Sequence, residues 1–283
     1  MLSTIVVGTS LSENSTRTLC CLRGLRAGGA RKVFLVHAMN IRDVGTLFRQ
    51  LQALALPALE RQAQLLRDMG FEVETDVRLG LPYYEIQQVA SEQDASVIAV
   101  HLTTESLLES AFVGGVAYEV IQRADRPVLA MKATFTEQGC EPLCENTLDH
   151  ILFPTDFSAN AERALDLLAD IVAVAHSTVT VVHVREGDGD TPASEVALDA
   201  DRQRLSEIAA RLTASKAQAV NVVIRCGSPT AELLSISTLH APSMIIMGSQ
   251  GAGFIREVFL GSVSHNLVRH APVPVLLVPA FRG

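Results

Sequence analysis

The chain repeats itself, and this constrains its fold more than any other feature. KVFLVHAM at 32–39 aligns with STVTVVHVR at 177–185, placing His37 on His183, 146 residues apart. The same interval places Ser10 of TIVVGTSLS on Asp156 of HILFPTDFS. Further along, RLGLP aligns with RCGSP (Gly80 on Gly227) and RADRPVLAM with RHAPVPVLLV (Pro127 on Pro274), now 147 apart. One single-residue indel therefore separates two copies of about 140 residues, too long for a solenoid unit and of the size of a duplicated domain.

Both copies read alike. Short β-branched runs (TIVVG, VFLVHA, FEVETDVR, SVIAVHL, PVLAMK; then HILFPTD, TVTVVHV, AVNVVIR, SMIIMGS, PVLLVP) alternate with helical stretches. Most runs are apolar throughout, as parallel strands covered on both faces must be. Leu47, Leu51, Leu54, Leu59, Ala63 and Leu66 predict one helical face in copy one, and Val196, Leu205, Ile208 and Leu212 its counterpart. Gly70 predicts a helix stop. In GSPTAELL, Ser228 is expected to N-cap, Pro229 to sit at N1 and Glu232 to face the helix dipole. Strands alternating with helices give right-handed βαβ units and an α/β, doubly wound parallel sheet in each copy. The expected domains are 1–132 and 150–283, with the polar, turn-rich 133–149 as linker.

Composition excludes several classes. With 48% hydrophobic residues and a net charge of −8 in 283 residues, the chain has the material for two cores and is not disordered. The 31 acids outnumber 23 bases, which argues against nucleic acid as the partner. Apolar runs of six to eight residues fall far short of the ~20 that cross a membrane. MLSTIVVGTS reads as a strand and lacks the parts of a signal peptide. A cytoplasmic protein with five reduced cysteines is therefore expected. Cys140-x3-Cys144 has ligand spacing but no companion pair, so no metal site is expected there.

Open parallel sheets bind ligands beyond the carboxyl ends of their strands. In copy two the first strand ends Pro154-Thr155-Asp156-Phe157-Ser158, the second His183-Val184, and the fourth Met247-Gly248-Ser249-Gln250-Gly251; Gly261-Ser262-Val263 then opens a helix. Glycines admit a phosphate close to the backbone, and N–H groups at a helix start point at an anion favoured by the dipole. Ser262 is the expected N-cap. The spacing Gly248-x2-Gly251-x9-Gly261-Ser262, together with ILFPTDFS, VVHV, RCGSP, IIMGSQG, FLGSVSHNLV and PVPVLLVP, resembles the ATP-binding branch of the universal stress protein family. The resemblance covers all of copy two and, more weakly, copy one.

This resemblance implies a five-stranded sheet of order 3-2-1-4-5, adenine nucleotide alpha hydrolase-like, in each of two tandem domains. It implies ATP, or ADP or AMP, in copy two, with Mg held through the phosphates. Asp156 falls near the nucleotide's adenosine end; Pro154, Thr155 and Val184 line the adenine and ribose pocket, with Met247 nearby. Amides around Gly248, Gln250, Gly251, Gly261, Ser262 and Val263 would hold the phosphates. Gln250 replaces the family's usual His or Arg, and Arg256 is a candidate for the γ-phosphate. Family members dimerise through the last strand, which implies an intramolecular pseudo-dimer of the two domains and allows a homodimer.

Copy one departs from the pattern. Ser10 replaces Asp156, His101 replaces Gly248 and Thr104 replaces Gly251, while Gly114 and Gly115 stand at Gly261 and Ser262. No Ser, Cys or acid is placed to complete a catalytic set with His101, which reads as a residue at an abandoned site. His37 and His183 recur in both copies, which marks them as structural. Walker A, G-x-G-x-x-G, receiver-domain and G-x-S-x-G signatures are absent. The reading is a stress-response regulator binding one nucleotide per chain, with a slow ATP hydrolase or a nucleotide-free, chaperone-like dimer as alternatives. Calorimetric titration with ATP is expected to saturate at one site per chain; two equivalent sites would overturn this assignment.

Overall fold

The computed structural model describes residues 2–40, 47–102, 115–132, 135–136, 139–140, 146–186, 192–251 and 260–280. The chain divides into two compact units, Met1–Glu145 and Asn146–Gly283. In the first, β1 (Thr4–Gly8) leads through α1 (Glu13–Thr18) and a 3₁₀ run (Leu19–Gly28) to β2 (Lys32–Asn40). There follow α2 (Phe48–Asp68), β3 (Glu72–Gly80), α3 (Pro82–Glu92), β4 (Val97–His101), α4 (Val116–Arg123) and β5 (Val128–Met131). Two-residue strands β6 (Phe135–Thr136) and β7 (Gly139–Cys140) pair antiparallel after it.

The second unit runs β8 (His150–Pro154), α5 (Ala159–Ala175), β9 (Thr178–Arg185), α6 (Pro192–Ala214) and β10 (Ala219–Cys226). It closes with α7 (Pro229–Leu239), β11 (Met244–Gly248), α8 (Ser262–His270) and β12 (Val275–Val278). The five parallel strands of each unit follow the expected order, β3-β2-β1-β4-β5 and β10-β9-β8-β11-β12. Thr147 and Leu148, within the segment read as linker, are buried in the second unit.

Central strands are apolar because both faces are covered. Ile5, Val6, Ile98 and Ala99 in the first unit, and Ile151, Leu152, Phe153, Ile245 and Ile246 in the second, have no measurable exposure. Burying such a side chain is worth about 1.5–3 kcal/mol. The edge strands β3 and β10 are covered less and mix polar residues into the run.

The first helix after the first strand differs between units. Ser12 and Ser158 cap their helices identically, accepting from the N–H groups of Ser15 (3.1 Å) and Ala161 (3.2 Å). The second unit then continues as α-helix for 17 residues, whereas the first tightens into 3₁₀ geometry after six. Gly24 and Gly28 lie in that stretch and weaken its helical preference, and Gly29 ends it in a left-handed conformation.

Four sequence expectations are corrected. In α2 burial is confined to Leu59, Gln62, Ala63 and Leu66, beyond Pro57, while Leu47 and Leu54 are exposed. Proline inside a helix removes a backbone bond and divides it, and here it separates the covered half from the solvated one. Val196 of α6 is exposed too, although Leu205, Ile208 and Leu212 are buried. Ser228 stands at the N-cap of α7 with Pro229 at N1 and Glu232 in the first turn, but its side chain makes no capping bond. Cys20 is disulfide-bonded rather than reduced, whereas Cys21, whose Sγ donates to the Lys132 carbonyl at 3.6 Å, and Cys226 are in no disulfide.

Gly70 ends α2 at φ +88°, and a Cβ there would lie 1.8 Å from Nη1 of Arg26. That same nitrogen donates to the Met69 carbonyl at 2.8 Å. Gly70→Ala is expected to destabilise the first domain by about 1–3 kcal/mol, read as a lower denaturant midpoint for that domain.

Candidate functional site

Strand order reverses between β8 and β11, which pair Ile151 with Met244 and Leu152 with Ile245. At such a switch point the connections leaving the two strands diverge and a crevice opens beyond their ends. Here it is a cavity of about 670 Å³. Pro154, Thr155, Asp156, Val184, Met247, Gly248, Gln250, Gly251, Gly261, Ser262 and Val263, the residues singled out from the sequence, all line it. Ala161, Val182, Glu186, Pro229, Leu233 and Ser264 complete the lining.

One wall is apolar, built from Pro154, Val182, Val184, Pro229, Leu233 and Met247. Val182, Val184 and Glu186 alternate along β9 and its end, so period two brings them to one face. Pro229 and Leu233 are one helical turn apart on α7. These four additions were legible by periodicity once the strand and helix were placed.

The loop after β11 also borders the cavity, through Gly248, Gln250 and Gly251. Three successive carbonyls there are engaged within the fold: Gly248 by Ser264 Oγ (3.0 Å), Ser249 by the Gly261 N–H (2.8 Å) and Gln250 by Asn160 Nδ2 (3.1 Å). The loop's acceptors are thereby occupied by protein donors, which suits a surface that meets an anion. Gly248 makes this packing feasible, since a Cβ would sit 2.7 Å from Asn160 Nδ2 and 3.2 Å from Asn160 backbone carbon. Asn160 and Ser264 have no sequence signal; their partners are distant along the chain.

The N-cap of α8 is Gly261, at φ −65° and ψ 153°, and it supplies no side-chain bond. Ser262 is the first helical residue, which corrects its expected role as cap. The first-turn residues Ser262, Val263 and Ser264 all border the cavity. A helix start without a side-chain cap leaves N–H donors and the positive dipole end for a ligand.

Asp156 lies against this loop at Gly251. Its Oδ1 accepts from Ser158 N–H at 3.1 Å, and its Oδ2 is 2.6 Å from where a Gly251 Cβ would stand. The turn that aims it holds Phe157 at φ +59°, a left-handed conformation costly for a bulky residue. Two bonds hold that turn: Phe157 N–H to Thr155 Oγ1 (3.1 Å) and His183 Nδ1–H to the Thr155 carbonyl (2.8 Å). His183 also packs on the Phe157 ring at 4.5 Å and faces Asp201 of α6 at 3.7 Å. Arg185 meets the same Asp201 carboxylate at 3.4 Å, and the Arg204 guanidinium covers Phe157 at 4.4 Å. Arg256 lies outside the described residues, as does Cys144. Among the described residues no group of three or more His, Cys, Asp or Glu is arranged to hold a metal, and no helix is long and apolar enough to cross a membrane.

The family model described as the universal stress protein family matches residues 1–132 and 147–279. The chain belongs to the universal stress protein family. A universal stress protein of Thermus aquaticus is 33% identical over 133 residues, covering 45% of this chain and 96% of its own. One from Methanocaldococcus jannaschii is 23% identical over 155 residues, 47% of this chain and 96% of its own. The crystal structure of a universal stress protein from Archaeoglobus fulgidus matches both units together, with a TM-score of 0.76 over 99% of this chain and 97% of that one at 24% identity. At that identity the likeness speaks for the tandem fold.

The first universal stress protein domain keeps the turn and changes the cavity residues. Leu11 has φ +61°, its N–H bonds Thr9 Oγ1 (3.1 Å), and His37 Nδ1–H donates to the Thr9 carbonyl (2.9 Å). Ser10, in place of the acid, bonds Ser12 instead (3.0 Å). Ile86 of α3 packs onto Gly8, so closely that a Cβ there would meet its Cδ1 at 2.6 Å. His101 ends β4 where β11 ends in Gly248. Thr104 and Gly114 lie outside the described residues.

Burial lowers the His101 pKa from its ordinary value of 6.5. The folded domain thus resists protonation that the unfolded chain accepts, so this histidine's neutral form supports folding above pH 6.5 and the support is lost on acidification. His101→Gln is expected to flatten the loss of first-domain stability between about pH 7.5 and 5.5; denaturant titrations giving identical pH slopes for both proteins would contradict this.

Proposed function

We propose that this universal stress protein binds one adenine nucleotide in its second domain and acts as a binding regulator rather than as an enzyme. The observation that carries the reading is the convergence of one apolar wall, one loop with its carbonyls engaged and one uncapped helix start on a single cavity. An apolar wall between Pro154, Val184 and Met247 suits the faces of a purine. The Asp156 carboxylate accepts from sugar hydroxyls or a ring amine. Amides at Gly251 and at the start of α8 suit a phosphate.

Binding suits this lining better than turnover. Fast phosphoryl transfer uses a positioned water and cationic groups on the transferred phosphate. The described cavity lining holds no lysine, arginine or histidine. Mg would be held through the phosphates, with Asp156 the neighbouring carboxylate.

The test starts with protein denatured directly after purification and chromatography of what it releases, followed by ATP and AMP titration of the emptied chain. About one adenine nucleotide per chain is expected. Gly251→Val, whose branched side chain must enter the space held by Asp156, is expected to weaken binding at least about tenfold. Absence of nucleotide and of any millimolar binding would remove the proposal.

A further inference from the structure

We infer that Asn160 is the positioning residue that readies the second-domain cavity for phosphate, by fixing the peptide between Gln250 and Gly251. This rests on the adenine-nucleotide reading above and assigns the phosphate part of that binding to a side chain outside the cavity lining.

Asn160 is the second residue of α5, and asparagine is a residue type that mostly faces solvent. Here it is only 7% exposed. Its Nδ2 donates to the Gln250 carbonyl at 3.1 Å. A Cβ on Gly248 would stand 2.7 Å from that nitrogen and 3.0 Å from Cγ, so the carboxamide fills the room the glycine leaves. The Oδ1 at the other end is buried and has no hydrogen-bond partner among the described residues. A buried acceptor left unpaired is costly, so the side chain is held in place for its donor.

That donor acts through peptide geometry. No peptide bond in the described chain is cis, and in a trans peptide the carbonyl and the N–H point in opposite directions. Drawing the Gln250 carbonyl toward Asn160 therefore turns the Gly251 N–H away from it. Gly251 borders the cavity and Asn160 is not among its lining residues. The Gly251 N–H is thereby presented to the cavity as a donor fixed before any ligand arrives.

The duplication isolates the cause. Asn14 stands at the same place in α1, 146 residues earlier, after the same serine cap. It is exposed. There β4 ends in His101, a residue with the Cβ that Gly248 lacks. Asparagine in this register is thus drawn into the fold only where the neighbouring strand ends in glycine.

The experiment measures the affinity of emptied full-length protein for adenosine, AMP and ADP, and follows the Gly251 amide by heteronuclear NMR. Asn160→Leu keeps the branched shape and loses the donor; Asn160→Ser, a second variant, shortens the side chain. Both are expected to weaken AMP and ADP about tenfold while adenosine stays within about twofold. The Gly251 amide proton is expected to move downfield when AMP binds the unaltered protein and to lose that shift in both variants. Asn14→Leu is expected to change neither readout. Equal weakening of adenosine and AMP, an unchanged ratio in both variants, or a Gly251 amide that AMP does not shift would overturn the role of Asn160. Each of these would leave the adenine site standing. Failure of the unaltered protein to bind any of the three ligands would instead remove the adenine site, and this inference with it.

Discussion

The site depends on the reversal of strand order between β8 and β11. In a doubly wound sheet the connections leaving these neighbours diverge, so the ends of the two strands are not roofed by their own chain. The space between them is then shaped by what each strand end can tolerate. β11 ends in a glycine that admits Asn160 against the backbone, and β8 ends in a turn held in a left-handed conformation by threonine and histidine. From these two local solutions follow the engaged carbonyls, the placement of Asp156 and the start of α8 at the cavity wall.

The duplication acts as an internal control on which residues serve the fold. Thr9 and Thr155, His37 and His183, Ser12 and Ser158 make the same bonds at nearly the same lengths in both domains. Leu11 and Phe157 adopt the same positive φ. None of this tracks the cavity lining, which differs between the domains at Asp156, Gly248 and Pro154. The turn belongs to the scaffold; the acid, the glycine and the proline were changed independently of it.

Much of the scaffold was legible in sequence because each strand is a local run of apolar residues and each turn a local set of small polar ones. The loop residues Gly248, Gly251 and Gly261 were legible for a similar reason, since close backbone approach leaves a glycine behind. Asn160 and Ser264 were not, because a single asparagine or serine early in a helix has many uses and only tertiary contact selects one. The cap of α8 was misplaced by one residue because serine is the stronger capper by preference, whereas the extended backbone falls at Gly261. In α2 the apolar spacing persisted beyond the part that the sheet covers, and periodicity alone does not report where cover ends.

The 3₁₀ run of Leu19–Gly28 has one more consequence. Its bonds span three residues in poorer geometry than those of the α-helix at the matching place in the second domain. Two domains with one topology therefore have unequal first crossovers, and local opening costs less in the first. Amide hydrogens along 19–28 are expected to exchange with solvent sooner than those along 159–175, which would place the softer segment in the domain with the altered cavity.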